Sequence, residues 1–169
     1  MEAFWSEIRD EAIRAAFLWT GRADAAEEAV QEAWAAFLAN PPPGSPRGWF
    51  FGILRNKSLR LRRSRPALSL DAPLPGAGGL TLGESLPDRG EGPEAAARKK
   101  EEITALLAAL EALPDPLREA VFMRWILGWS DVQMAEALGL SEEAARQRAH
   151  RGLEALNRKS SVTPGPDAG

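Results

Sequence analysis

The amino-acid sequence predicts an all-α protein with two small helical domains joined by a flexible linker. No alternating run of β-branched residues, the pattern typical of strands, occurs in the chain. Apolar residues recur at helical spacing in two separate segments, residues 1–65 and 94–159. Residues 66–93 between them are rich in proline and glycine and are predicted to be a linker, and the polar tail 160–169 is predicted to be disordered.

The composition excludes several classes of function. The 169 residues include no cysteine and one histidine, which excludes thiolate metal sites and zinc sites built on several imidazoles. No nucleophile–base pair, metal cluster or phosphate loop is visible, so we expect no enzyme, no metal and no cofactor. The N-terminus lacks the pattern of a signal peptide, and no apolar run approaches the roughly 20 residues of a membrane helix. We therefore expect a cytoplasmic protein without membrane insertion.

The first segment is predicted to contain helices that are separated by strong stop signals. Gly21 suits the end of the first helix, and Asp24 with Glu27 has the spacing of a capping box at the start of the second. The three consecutive prolines that follow cannot continue a helix. The predicted boundaries are about 4–20 for the first helix, Asp24 to before the prolines of 40–46 for the second, and about 47–63 for the third.

The second segment is predicted to end in a helix-turn-helix. Ala135 occupies the position where two helices would cross and only a small side chain fits. Gly139, four residues later, suits the left-handed turn, and Ser141 is placed to cap the last helix. The predicted helices are one marked by residues 103–113, one from about Pro116 to Gly128, one over 131–138 and one from Ser141 to about Arg158.

Positive charge is concentrated in two places although the formal net charge of the chain is -3. Residues 47–66 contain seven basic residues and no acidic residue, and the last helix carries a second basic cluster. Contact with phosphates needs only such a local stripe. On the last helix, the small or apolar residues Ala145, Ala149, Gly152 and Leu156 share one face. At about 100° per residue, the opposite face carries Arg146, Gln147, His150 and Arg151. This arrangement predicts a helix that docks on one side and presents its basic side to a polyanion.

Three stretches resemble the group IV, or extracytoplasmic-function, sigma factors of bacterial RNA polymerase. "DAAEEAVQEAWAAFL", residues 24–38, is similar to region 2.2 of that family, and "GWFFGILRNKSLRLRRSR", residues 48–65, to regions 2.3 and 2.4. Residues 110–156, from "LEALPDPLREAVF" to "RAHRGLEAL", are similar to region 4. The resemblance covers both segments in the family's order and leaves only the linker and the tail unmatched.

The resemblance implies a division of labour between the segments. The expected partners are the RNA polymerase core, through its β′ clamp and β flap, and promoter DNA, with an anti-sigma factor as a further candidate. The implied core-binding residues are Glu27, Glu28, Gln31 and Glu32. The implied −10 contacts are Asn40, Arg47, Trp49, Arg55, Asn56, Lys57, Arg60, Arg62 and Arg63. The implied −35 contacts are Arg124, Ser141, Arg146, Gln147, His150 and Arg151.

The chain departs from the family pattern at positions that bear on promoter choice. Leu59 stands where the family usually has aspartate, and Glu143, Ala144 and Ala145 replace a segment whose threonine often contacts a phosphate. Gln147 replaces a serine. Two alternatives stay open: a stand-alone helix-turn-helix regulator and a sigma-like adaptor that binds only a protein partner. The first would not require the tryptophan-containing basic helix. The promoter sequence, the regulon and the inducing signal do not follow from the sequence.

Overall fold

The computed structural model describes residues 1–64, 67–75, 78–85 and 92–159. The predicted disordered tail, 160–169, lies outside these residues. The described α-helices are α1 (Glu2–Thr20), α2 (Ala23–Ala39), α3 (Pro46–Leu61), α4 (Leu82–Ser85), α5 (Pro93–Leu110), α6 (Asp115–Val121), α7 (Asp131–Leu138) and α8 (Glu142–Lys159). These ranges contain no strand beyond one antiparallel bridge, between Pro73 and Thr81, so the all-α prediction is confirmed. None of the helices described is both long and apolar enough to cross a membrane.

Helices α1, α2 and α3 pack against one another around an aromatic cluster. Trp34 of α2 lies between Trp5 of α1, at 4.5 Å between ring centroids, and Phe37 of its own helix, at 5.5 Å. Phe50 of α3 is fully buried and meets these rings edge-on. Helical spacing predicts an apolar stripe of Val30, Trp34, Phe37 and Leu38 on α2. The first three pack in the core, whereas Leu38 is 53% exposed.

The start of α2 differs from the prediction. Its first helical residue is Ala23, the N-cap is Arg22, and no side chain caps the helix, so the predicted capping box of Asp24 and Glu27 is wrong. Asp24 instead accepts hydrogen bonds from the Arg22 guanidinium, the shorter one at 2.7 Å. These bonds hold the pKa of the Asp24 carboxyl below its ordinary value.

The predicted helix-turn-helix is present with its predicted boundary residues. Ser130 and Gln133 form a capping box at the start of α7, and Gly139 ends the helix in the left-handed conformation at φ 67°. The Ser141 hydroxyl accepts a hydrogen bond of 3.1 Å from the Ala144 backbone and caps α8. One feature was not predicted: Phe122–Ile126, directly after α6, form a π-helical turn.

The linker contributes to the core. Leu68, Leu70, Leu74 and Leu82 are all buried and belong to the same apolar cluster as the helices of both segments. The proline- and glycine-rich composition predicts no helix here, whereas α4 forms one turn after the bridge at Thr81. The scattered leucines of this segment therefore anchor it to the rest of the protein.

The two helical segments are packed against each other. Helix α3 lies along α7, with Gly48 and Gly52 facing Glu136 and Ala137. Aromatic rings also meet across the boundary: Phe51 contacts Trp129 edge-on with ring centroids 5.0 Å apart. One apolar core consequently spans both segments.

Candidate nucleic-acid interface

The two faces of α8 are separated as the sequence predicts. Ala145, Ala149, Gly152 and Leu156 are buried, and Gly152 lies so close to α6 that no side chain fits between them. On the other side, a continuous exposed surface is formed by Arg146, Gln147, His150 and Arg151. Arg148, between these faces, is half-buried. This exposed surface is called the basic face of α8 below.

Acidic residues surround the first arginine of the basic face. Arg146 donates a hydrogen bond of 2.9 Å from Nε to Asp131 of α7, and its other nitrogens contact Glu142 at 3.3 Å and Glu143 at 2.5 Å. The bond to Asp131 is the main reason that the pKa of Arg146 is raised above its ordinary value. Gln147 also donates to Glu143, at 3.2 Å. The guanidinium is therefore held in one place beside α7. A DNA phosphate that approached Arg146 would also meet the carboxylates of Glu142 and Glu143.

Other predicted −35 residues also have partners within the protein. Arg124 forms an ion pair of 3.0 Å with Asp131, and its side chain is only 16% exposed. Ser141 uses its hydroxyl to cap α8. His150 is exposed on the basic face and lies 3.2 Å from Glu154. Asp131 therefore links Arg124 to Arg146 and fixes the base of the basic face.

The basic residues of α3 and of the two positions directly after it, Arg62 and Arg63, divide into an exposed and an engaged set. Arg60 and Arg63 are exposed and Lys57 is half-buried. Arg55 donates two hydrogen bonds, of 2.7 and 2.9 Å, to Glu119 at the end of α6. Arg62 forms an ion pair of 2.8 Å with Asp115.

Arg47, the first basic residue of α3, is also engaged. Its guanidinium binds both carboxylate oxygens of Glu11 in α1, and it lies 4.7 Å from the ring centroid of Phe51. The Glu11 carboxylate also accepts a hydrogen bond from the indole of Trp129. Arg47 is therefore part of the packing between the two segments.

The loop between α2 and α3 brings the polar −10 candidates together. The Trp49 indole donates a hydrogen bond of 3.1 Å to the backbone carbonyl of Asn40, and the Asn40 amide donates 2.9 Å to Ala36. Asn56 is exposed about two turns after Trp49 along α3. A crevice lined by Trp49, Asn56 and the end of α7 at Gly139 opens beside this loop.

The acidic side of α2 is accessible. Glu27, Glu28 and Gln31 are exposed, and Glu32 is half-buried beside Arg60 at 3.6 Å. The structure thus places the four predicted core-binding residues on one helix, with the last of them partly shared with α3.

Residues that organise these surfaces were missed in the sequence. Glu119, Asp131 and Glu11 each bind a predicted DNA-contacting arginine. Glu119 follows Arg118 and precedes an apolar run, so nothing in the local pattern marks its carboxylate as buried. A basic partner could have been inferred only if the burial of this carboxylate had been known, because a buried carboxylate must be paired and hydrogen-bonded.

A helix-turn-helix with an exposed basic face, together with a second basic helix in the same chain, defines a nucleic-acid-binding class of protein. The profile of sigma-70 region 2 matches residues 4–66, and that of sigma-70 region 4 matches residues 103–156. The chain belongs to the sigma-70 family, in its extracytoplasmic-function group.

Individual relatives agree with this assignment. The chain is 30% identical over 112 residues to the ECF RNA polymerase sigma factor SigW of Bacillus subtilis, which covers 66% of this chain and 60% of SigW. It is 29% identical over 159 residues to the ECF sigma factor SigE of Mycolicibacterium smegmatis, which covers 90% of this chain and 60% of SigE. The fold is similar to the crystal structure of the Mycobacterium tuberculosis extracytoplasmic function sigma factor SigJ, with a TM-score of 0.56 and 24% identity over 93% of this chain and 53% of SigJ. The chain therefore spans somewhat more than half the length of these relatives.

Proposed function

We propose that this chain is a sigma factor that binds the core of bacterial RNA polymerase and directs it to promoters. Segment 1–65 would recognise the −10 element and segment 94–159 the −35 element. The observation that carries the proposal is the presence, in one chain, of the exposed basic face of α8 and of the basic helix α3 beside a polar loop. A stand-alone regulator would need only the first of these. Such a role is non-enzymatic, and its place is the cytoplasm.

The basic face of α8 has the side chains that read bases in the major groove. Arginine pairs with the O6 and N7 atoms of guanine, and glutamine with adenine. Arg146, Gln147 and Arg151 are exposed on this face. The buried Ala145 and Ala149 on the opposite side hold the helix in a fixed orientation, which base readout requires.

Helix α3, together with the arginines directly after it, suits a different task. Arg60 and Arg63 are exposed and Lys57 is half-buried, and such residues mainly contact phosphates, which position the protein without specifying sequence. The crevice beside Trp49 and Asn56 offers an aromatic ring and an amide, the groups that hold an unstacked base. We infer that α3 holds the melted −10 strand.

The acidic residues of α2 are the inferred contact with the polymerase core. Reversing one of them, Glu28→Lys, should weaken binding of this chain to core polymerase, because Glu28 is exposed and a lysine would repel a basic partner surface. The matched control is Glu102→Lys, which reverses an equally exposed acid on α5. Holoenzyme formation and transcription from a library of promoter sequences are the measurements. Equal loss of binding in both variants, or in neither, would contradict the inferred contact.

A second candidate, the sigma-like adaptor, is favoured by the carboxylates around Arg146. Glu142 and Glu143 lie in the first turn of α8, where they favour the helix dipole but repel a phosphate. An adaptor would bind core polymerase and leave the choice of promoter unchanged across the library. An anti-sigma factor is a further candidate partner in either case.

A further inference from the structure

A crevice opens where the end of α3 meets α6 and the side of α8. Its volume is about 420 Å³, within the range of roughly 300–1,000 Å³ that is typical of pockets for small organic ligands. None of the described residues that line it belongs to the basic face of α8. The crevice is therefore separate from the surface proposed to read the −35 element.

The lining of this crevice is basic, although the whole chain carries a formal charge of -3. Two acidic residues, Asp115 and Glu119, line it together with five arginines: Arg55, Arg62, Arg63, Arg118 and Arg148. These described residues have a formal excess of three positive charges. A cleft lined mainly by charge of one sign concentrates ions of the opposite sign. The crevice therefore favours an anionic ligand.

The two carboxylates are already bound to arginines of the first segment. Glu119 accepts hydrogen bonds of 2.7 and 2.9 Å from Arg55, and Asp115 forms an ion pair of 2.8 Å with Arg62. Within the described parts of the chain, Arg148 and the exposed Arg63 form no ion pair and no side-chain hydrogen bond. Their guanidinium groups are accessible to a ligand in the crevice.

Arg148 is the residue on which the site mainly depends. It is half-buried between the docking face and the basic face of α8, and the proposed −35 contacts do not use it. A guanidinium that is partly removed from water is costly unless an anion pairs with it. Arginine matches phosphate oxygens with two parallel N–H bonds. A ligand with two phosphates can pair with Arg148 and Arg63 at once, although they belong to different segments.

The crevice also has apolar lining. Leu18, Leu59 and Phe122 contribute to it, and Leu59 is half-buried. Apolar surface combined with a few polar groups is typical of pockets for organic ligands, and an inorganic ion would make no use of it. The lining therefore favours a phosphate ester that carries a largely apolar ring.

We propose that this crevice binds a nucleotide with at least two phosphates. Arg148 and Arg63 bind the phosphates, and the apolar lining around Leu59 contacts the base. DNA is the competing source of phosphates, because the exposed Arg63 is also a proposed −10 contact. The recessed Arg148 distinguishes the two sources. The site does not depend on the proposed function, since neither the promoter nor the polymerase takes part in it.

Calorimetric titration of the full chain tests the site with ADP as the probe, at constant ionic strength and without divalent metal ions. Pyrophosphate and adenosine test the two parts of the ligand separately. ADP should bind at least as tightly as pyrophosphate, and adenosine at least about tenfold more weakly than ADP, since it lacks the charge-assisted bonds. Arg148→Ala should weaken binding of ADP and of pyrophosphate by about tenfold or more, the loss expected for one such bond.

The matched control is Arg158→Ala, which removes the same charge from the exposed end of α8, outside the crevice. It should bind ADP as the wild-type chain does. A second pair, Leu59→Asp and Leu59→Asn, introduces side chains of equal size that differ in charge. Leu59→Asp should abolish pyrophosphate binding and Leu59→Asn should retain it, with thermal unfolding as the check that both variants fold.

The proposal is overturned if Arg148→Ala binds ADP as tightly as the wild-type chain, or if Arg158→Ala weakens binding equally. It is also overturned if pyrophosphate binds more tightly than ADP, because the base would then make no contact. A single-stranded oligo-dT of about 20 nucleotides tests the DNA backbone as the occupant. Arg148→Ala should bind it as the wild-type chain does, and a loss as large as that for ADP would assign the crevice to DNA instead. Transcription from the promoter library tests the proposed function separately.

Discussion

Arg146 illustrates what can be predicted for a single residue. Three positions at about 100° per residue leave Arg146 about 60° from Ala149, at the edge of the basic face, and the structure exposes it. Its bond to Asp131 joins residues 15 positions apart on different helices. That bond depends on how α7 and α8 cross, which periodicity does not determine. Glu119 and Arg55, which are 64 positions apart, are a stronger case of the same limit.

Replacing Arg146 by alanine should relax base preference at particular −35 positions. A bidentate contact between arginine and guanine provides about 1–3 kcal/mol of discrimination, and this is the loss we expect at one base pair. The fold should persist, because Asp131 keeps its ion pair with Arg124. The measurement is transcription from a library that is randomised in the −35 element.

The control for that measurement is Arg148→Ala. Arg148 is half-buried beside the basic face of α8, so its removal should leave the −35 profile unchanged. A shifted profile for Arg148→Ala with an unchanged one for Arg146→Ala would mean that another side of α8 faces the DNA.

At the scale of the helix, α8 docks on α6 more closely than a sequence pattern can specify. The spacing of small residues predicts a narrow docking face, and Gly152 lies on it as expected. The spacing does not indicate which atoms fill the gap. A Cβ atom at this position would lie 2.5 Å from Val121 and 3.0 Å from the backbone oxygen of Leu117. The tight approach follows from the crossing of two helices that are distant in the sequence.

Gly152→Ala should therefore destabilise the protein, although alanine is the better helix former. Overpacking of this kind costs about 1–3 kcal/mol, against a gain in helix propensity of about 1 kcal/mol. Gly52→Ala is the matched control, because its added methyl group meets only an ordinary contact at 3.7 Å. Urea unfolding of both variants decides the question. If Gly152→Ala proved as stable as Gly52→Ala, α8 would not be docked at this distance.

For the whole molecule, composition predicted the linker but not its place in the core. Proline and glycine between 66 and 93 indicate the absence of long helices, and within residues 67–75 and 78–85 the structure has a single helical turn, α4. The burial of Leu70 and Leu82 was not predicted. An irregular segment has no period from which a buried face could be recognised, so only the assembled structure distinguishes an anchored segment from a tether.

The anchored segment leads to a prediction about unfolding. Leu82 is completely buried, whereas Leu80, two residues earlier, is 40% exposed. If residues 67–75 and 78–85 belong to one core, Leu82→Ala should cost about 2–5 kcal/mol, and Leu80→Ala should stay within about 0.5 kcal/mol of the wild-type chain. The shared core also predicts that unfolding in urea is a single cooperative transition, which moves as a whole in Leu82→Ala. Two separate transitions, with small and equal effects of both variants, would instead indicate two independent domains on a tether. In that case the contact between α3 and α7 would add little to the stability of either domain.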